Sequence, residues 1–384
     1  MIVYTSFWAI SLCLGFLVKR KISSLLFFFG VFLFVGLRME TGFDWPVYKD
    51  AFDFFRDGFS WSKIAILQLQ HSQETGFLLI LGLLGQVIAN YEVNQALFTL
   101  FFLYSFYKLS MTMHGARPAL ALAIYFSFFL LAVGFSTVRQ ALAISFFNMA
   151  LYQFFREKSS RTTYFYAAAA IAVHLSASIY VILFLLSLLL TRLVGRVRLP
   201  LHLMGSFGLL LGLPSAFALV SALVPQIMER VSHYENLTLI STPNLFSFAF
   251  SLVLLLMGAL VAFHRQGEAS LNSAKPVFGN LIVLFSAVSF ASLFFTTLRD
   301  RLAYELVLLF SIYISAQMKP RNLTASVFVA LFGLYYQLSI LRPPRDLAFL
   351  PYQNSLILFL TATESTGEQR SSQYMEIFIE DLAK

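Results

Sequence analysis

The chain has 384 residues, of which 59% are hydrophobic and 12% charged, against roughly 25% charged in a soluble domain. It carries a formal net charge of +8 and one cysteine, Cys13, so an internal disulfide is excluded and a thiol metal site is not expected. Long apolar runs without alternation exclude a β-barrel and predict an all-α membrane protein with little soluble mass.

The first apolar run, 2–18, is followed rather than preceded by basic residues, Lys19, Arg20 and Lys21. A signal peptide has the opposite order, so this run is expected to stay as a span. Further runs lie at 22–37, 76–90, 94–110, 118–135, 139–155, 162–191, 201–224, 245–263, 277–297, 302–318 and 323–341. Most suit a hydrocarbon core of about 30 Å and together predict a polytopic bundle of about 11–13 spans, some broken or re-entrant. One membrane domain, 1–362, is followed by a polar tail, 363–384.

Basic residues collect in cytoplasmic loops. That rule places 19–21, 108–117, 156–161, 191–198, 264–275 and 319–321 inside. It leaves external loops near 38–75, 225–244 and 342–354. Two runs resist a simple count. The run 76–90 is short, holds Gly76, Gly82 and Gly85, and reads as a partial or re-entrant helix over a cavity. The run 162–191 has basic flanks on both sides. A break near His174-Leu175-Ser176 keeps both flanks inside and puts His174 at the outer end of two half-spans.

With these choices the outer face gathers Arg38, Glu40, Asp44, Arg139, His174, Arg299, Asp300, Arg301, Arg342, Arg345 and Asp346. Arginine forks match phosphate oxygens two at a time, so several at helix ends form a candidate diphosphate seat. The competing reading has each arginine snorkel to headgroups or pair with a neighbouring acid. Arg301 beside Asp300 and Arg345 beside Asp346 invite that reading, whereas Arg139 has no acid nearby in sequence. Glu40 and Asp44 would share a face if the helix ran through them. Either is a candidate base, with His174 as another. The alternative is a salt bridge to Arg38 or a solvated loop. Trp45 and Tyr48 read as sugar-stacking groups or as interfacial aromatics. The Pro-rich stretch Arg342–Tyr352 reads as an aromatic lid. No metal, nucleotide or other cofactor is expected, because no ligand spacing, Walker loop, G-x-G-x-x-G or G-x-S-x-G occurs.

Four stretches together resemble the EpsG/Wzy family of bacterial polysaccharide polymerases: Gly36–Tyr48, Val138–Ala143, Ala172–Ala177 and Arg299–Tyr304. Glu74-Thr75-Gly76-Phe77 resembles that family's Glu-Pro-Gly-Phe, with threonine for proline. Gly42-Phe43-Asp44-Trp45 departs from its Gly-x-Asp-Tyr by changing the aromatic and keeping the carboxylate.

The resemblance implies a membrane glycosyltransferase of GT-C-like architecture in the bacterial inner membrane, with its site facing the periplasm. Its donor and acceptor would be undecaprenyl-diphosphate-linked oligosaccharides. Membrane lipids, a chain-length regulator and a flippase of the same pathway are the implied partners, and no nucleic acid. On this reading Arg139 and Arg299 or Arg301, with Arg38, hold the diphosphate, and Asp44, Glu40 or His174 is the base. Trp45, Tyr48, Gln140, Tyr304, Arg342, Arg345 and Tyr352 contact sugar or close over it. The rivals are an O-antigen ligase, expected to carry one large external loop, a flippase or transporter, expected to show two similar halves, and a structural or assembly subunit.

Overall fold

A computed structural model describes residues 2–18, 21–71, 73–157, 160–193, 199–223, 245–264, 275–293, 295–317, 330–338, 349–350 and 352–361, with a few single positions besides. Every regular element among them is helical. The chain divides into two compact units, Met1–Ser178 with Ile314–Lys384, and Ile179–Tyr313.

In the first unit, α1 (Ile2–Leu17) and α2 (Lys21–Val35) follow the first two apolar runs. Their apolar residues do not keep to one face. Val31 and Val35 are buried, while Leu26 is 67% and Phe29 58% exposed. A helix apolar all round belongs in a core or in lipid, and large exposed apolar patches are rare on soluble monomers.

The segment 38–75 holds two helices that a search for span-length apolar runs passes over. One is α3 (Trp45–Arg56), the other α4 (Trp61–His71). α3 is amphipathic. Trp45, Tyr48, Ala51, Phe52 and Phe55 face inward, and Lys49 pairs with Asp53 at 2.8 Å on the other side, the i,i+4 spacing that helices favour. α5 (Thr75–Gly85) has only 11 residues, about 16 Å of helix. It reaches half of a hydrocarbon core and agrees with the short-helix expectation for 76–90.

α6 (Tyr91–Ser110) starts where the Asn90 side chain accepts from the Glu92 and Val93 amides, a standard N-cap. α7 (Pro118–Phe129) runs into a π-helical turn, Leu130–Ser136, which ends with the Thr137 amide donating to Ala132 O at 2.7 Å. Widening a helix from i−4 to i−5 bonds orphans backbone groups. Gln337, from the helical residues 330–338, meets them: its amide donates to Phe126 O and Ser127 O, and its Oε1 accepts from Leu131 N. Among the described residues, Pro118–Ser136 is the helix long and apolar enough to cross a membrane by length and composition.

α8 (Val138–Glu157) leaves the π turn, and α9 (Arg161–Val173) packs beside it. The predicted break is present: α9 stops at Val173 and α10 begins at Ala177 (Ala177–Leu193).

The second unit contains α11 (Leu199–Leu223), α12 (Leu245–His264), α13 (Lys275–Ala291) and α14 (Thr296–Ala316). It buries a second histidine in an apolar run. His202 lies within 3.5 Å of the Ser206 hydroxyl. A methyl group on Gly258 would stand 2.3 Å from Ser286 Oγ and 2.9 Å from His202 Nε2. α15 (Ser355–Thr361) is a single short helix. The segment near 225–244, expected to be external, and most of the tail lie outside the described residues.

Candidate active site

The loop after α2 does not continue the helix. Glu40 has φ +47° and Gly42 φ +116°, left-handed values that end a right-handed helix and suit glycine. Glu40 and Asp44 therefore do not share a helical face, which corrects the pairing expected from their spacing. A Cβ at Gly42 would lie 2.2 Å from Phe135 O, and the Phe43 amide donates to Ser136 Oγ at 3.0 Å. These contacts seat the loop on the π turn, immediately before Arg139.

Asp44 precedes α3 as its N-cap residue, and its Oδ2 accepts from the Tyr48 hydroxyl at 3.2 Å. Trp45 and Tyr48 are both buried, and Tyr48 packs on Phe77 with ring centroids 5.0 Å apart. They are core groups here rather than an open stacking platform. Burial raises the Tyr48 phenol, the Asp44 charge raises it further, and the Arg139 charge opposes them, so Asp44 and Arg139 both act on Tyr48.

The centre of the site is Glu74, N-cap of α5. Arg139 Nη1 meets its Oε2 at 2.6 Å. His174 Nδ1 meets its Oε1 at 2.7 Å, and the Leu175 amide donates to the same oxygen at 3.1 Å. The side chains of Arg139, Glu74 and His174 are 14%, 21% and 5% exposed. Burial works against the Glu74 charge, but the hydrogen bond and charge of His174, the Arg139 charge and the Leu175 amide outweigh it, holding the carboxyl at about 2. Glu74 stays ionised and fixes the His174 ring through Nδ1, as carboxylates do for working imidazoles. Beside it, the Ser176 hydroxyl donates to Gln140 Oε1 at 3.2 Å.

The chain break at 174–176 makes this possible, because it exposes the Leu175 amide that a continuing helix would consume. Gly76 is the second requirement. A Cβ there would fall 2.5 Å from Ala172 O, so only glycine lets α5 lie close enough to α9 for Glu74 to reach His174. The sequence offers Arg139 no neighbouring acid; the fold supplies one from 65 residues away. Glu74 is the residue that reasoning from sequence did not place in the site. The Glu-x-Gly-Phe match was the signal for it.

The other candidates are placed differently. Arg38 is buried and bonded to Val35 O and Thr99 Oγ1, away from an open face. In the second unit, Arg299 gives Nε and Nη2 to Asp300 Oδ1 at 2.9 and 2.8 Å, gives Nη1 to Ser247 O at 3.3 Å, and lies 5.3 Å from the Phe250 ring centroid. Asp300 thus pairs with Arg299, where the sequence suggested Arg301. Arg301 is half-buried, and its carbonyl accepts from the Tyr180 hydroxyl at 2.6 Å; Tyr304, one turn on, is half-buried too. Tyr352 stacks on Phe34 at 4.5 Å and donates to Phe34 O at 2.5 Å, so it is packed against α2 and is not a lid. Arg342 and Arg345 lie outside the described residues.

A helical, largely apolar chain with a charged cluster where its helix ends meet is a membrane protein with a polar site. A model of the EpsG family matches residues 21–354. The chain belongs to the EpsG family, and with it to the polysaccharide-polymerase type. Neither a search of curated proteins nor one of solved structures returned a match.

Proposed function

We propose that the chain is a polytopic glycosyltransferase that polymerises lipid-diphosphate-linked oligosaccharides on the outer face of the bacterial inner membrane. The observation that carries this reading is the Glu74 carboxylate bound at once to Arg139 and His174. A GT-C-like bundle and an undecaprenyl carrier accord with family membership and with the apolar surfaces of α1 and α2.

In the proposed reaction the acceptor hydroxyl oxygen attacks the anomeric carbon of the donor sugar. A new C–O bond forms there, and the bond from that carbon to the diphosphate breaks. The hydroxyl proton passes to His174 Nε2, and the lipid diphosphate leaves with the bonding electron pair. Glu74 holds the ring through Nδ1 and stabilises the imidazolium that forms. With a carboxyl near 2, Glu74 is too weak a base to take that proton itself at neutral pH. Arg139 supplies positive charge where the leaving oxygens develop theirs. Asp44 positions Tyr48 and is the second candidate base.

Deletion of the gene, followed by a gel of surface polysaccharide, tests the reading. A ladder that collapses to single capped repeats supports a polymerase. Loss of all capped material with polymer still on the lipid carrier indicates a ligase instead, and lipid-linked single repeats trapped on the cytoplasmic side indicate a flippase.

A further inference from the structure

Arg38 carries a charge that the surrounding protein does not balance. It is 2% exposed. Its Nη1 bonds go to Val35 O at 2.8 Å and Thr99 Oγ1 at 3.2 Å, and its guanidinium lies 5.5 Å from the Phe135 ring centroid. None of these partners is an anion. Among the described residues no carboxylate pairs with it. Burial pulls it down to about 10, still a cation at neutral pH. A buried lone cation is expensive unless something negative sits beside it.

A small cavity opens at that position, between α2, α6, the π turn and α8. Its polar wall is Arg38, Gln95 and Thr99, and the rest is apolar, Phe98, Phe102 and Val138 among it. It has room for a single small occupant, too little for a phosphate or a sugar. Arg38 Nε makes no hydrogen bond, and the fully buried Gln95 side-chain amide makes none of good geometry. The Thr99 hydroxyl accepts from Arg38 and so keeps its own proton to donate. Three kinds of donor therefore border one small space: a guanidinium, a carboxamide and a hydroxyl. Buried polar groups are normally satisfied, and the occupant that satisfies donors and offsets a cation together is an anion.

We propose that this cavity binds a monatomic monovalent anion, chloride in the cell, as the counter-ion of Arg38. The site braces the molecule where the reaction is proposed to occur. Arg38 also ties the loop to the segment at 353–355, through its bridge to Asn354 and the Met39 amide on Gln353 O. Val138 and Ala141, in the wall of the same cavity, flank Arg139 and Gln140 on α8. Occupancy would hold the loop, α6 and the start of α8 in one arrangement.

The test is thermal unfolding of the purified full chain in detergent, in sodium chloride, bromide or gluconate at one ionic strength. Gluconate is too large to enter. Chloride and bromide should raise the melting temperature by a few degrees, saturably, over gluconate. Arg38→Gln should abolish the halide effect. Gln95→Leu, close in volume, should move the halide midpoint up by about tenfold, the worth of one hydrogen bond to a charged group. Bromide soaked into crystals should give an anomalous peak beside Arg38. Equal melting temperatures in all three salts would overturn the proposal, and so would a halide effect that survives Arg38→Gln. If Arg38→Gln does not fold, an unchanged halide midpoint in Gln95→Leu overturns it.

Discussion

Arg139 and Arg299 look alike in sequence, each at the head of a helix between apolar runs, and the fold treats them differently. Arg299 is satisfied locally: its acid is the next residue, and a carbonyl and an aromatic face complete its surroundings. Arg139 takes its acid from 65 residues away, and that acid also grips a histidine 100 residues from itself. A neighbouring ion pair needs no particular fold. A carboxylate shared between an arginine and an imidazole from three separate helix ends exists only when the fold is complete. Local pairing reads as structure, and distant convergence reads as chemistry.

The sharpest way to break that contrast is by substitution. At equal protein level, His174→Ala should lower polymer formation by about 10²–10⁴-fold, the usual worth of a positioned general base. Arg139→Lys keeps a charge and loses the planar fork, and should cost about 10- to 100-fold in rate, while melting temperature changes little. Arg299→Met should do the reverse. Polymer per folded molecule stays close to wild type, and stability falls by roughly 1–3 kcal/mol because Asp300 is left without its partner.

Acid titration sharpens the comparison further. Glu74 is held below its ordinary value, so its contribution to stability is fully present above about pH 4.3. That contribution is lost as pH falls toward the folded value of about 2, and Glu74→Gln should flatten that stretch of the curve. The smallest effect belongs to Tyr48→Phe. It removes one hydrogen bond to Asp44 and should cost about 1 kcal/mol of stability in chemical denaturation.

Much of the helical layout was legible in the amino acids. The apolar runs at 2–18, 22–37, 94–110 and 139–155 became α1, α2, α6 and α8 within a few residues, because hydrophobic length is a local property. The break at His174 was legible for the same reason, from run length and basic flanks. α3 and α4 were not, because alternating Lys49, Asp53 and Arg56 with buried Phe52 and Phe55 gives an amphipathic helix rather than an apolar run. Glu74 was missed because its two partners are remote, and Gly76, which admits them, shows its reason only when α5 meets α9. The burial of Arg38, Trp45 and Tyr48 was hidden as well, since a charged and aromatic loop looks the same in sequence whether it is solvated or folded onto a π turn.

The central claim is that His174, held by Glu74, takes the acceptor proton. His174→Gln tests it most directly, since glutamine can still donate to Glu74 and cannot act as a base. Membranes with the variant at wild-type abundance should yield single capped repeats in place of a polysaccharide ladder. A full-length ladder from that variant would contradict the account.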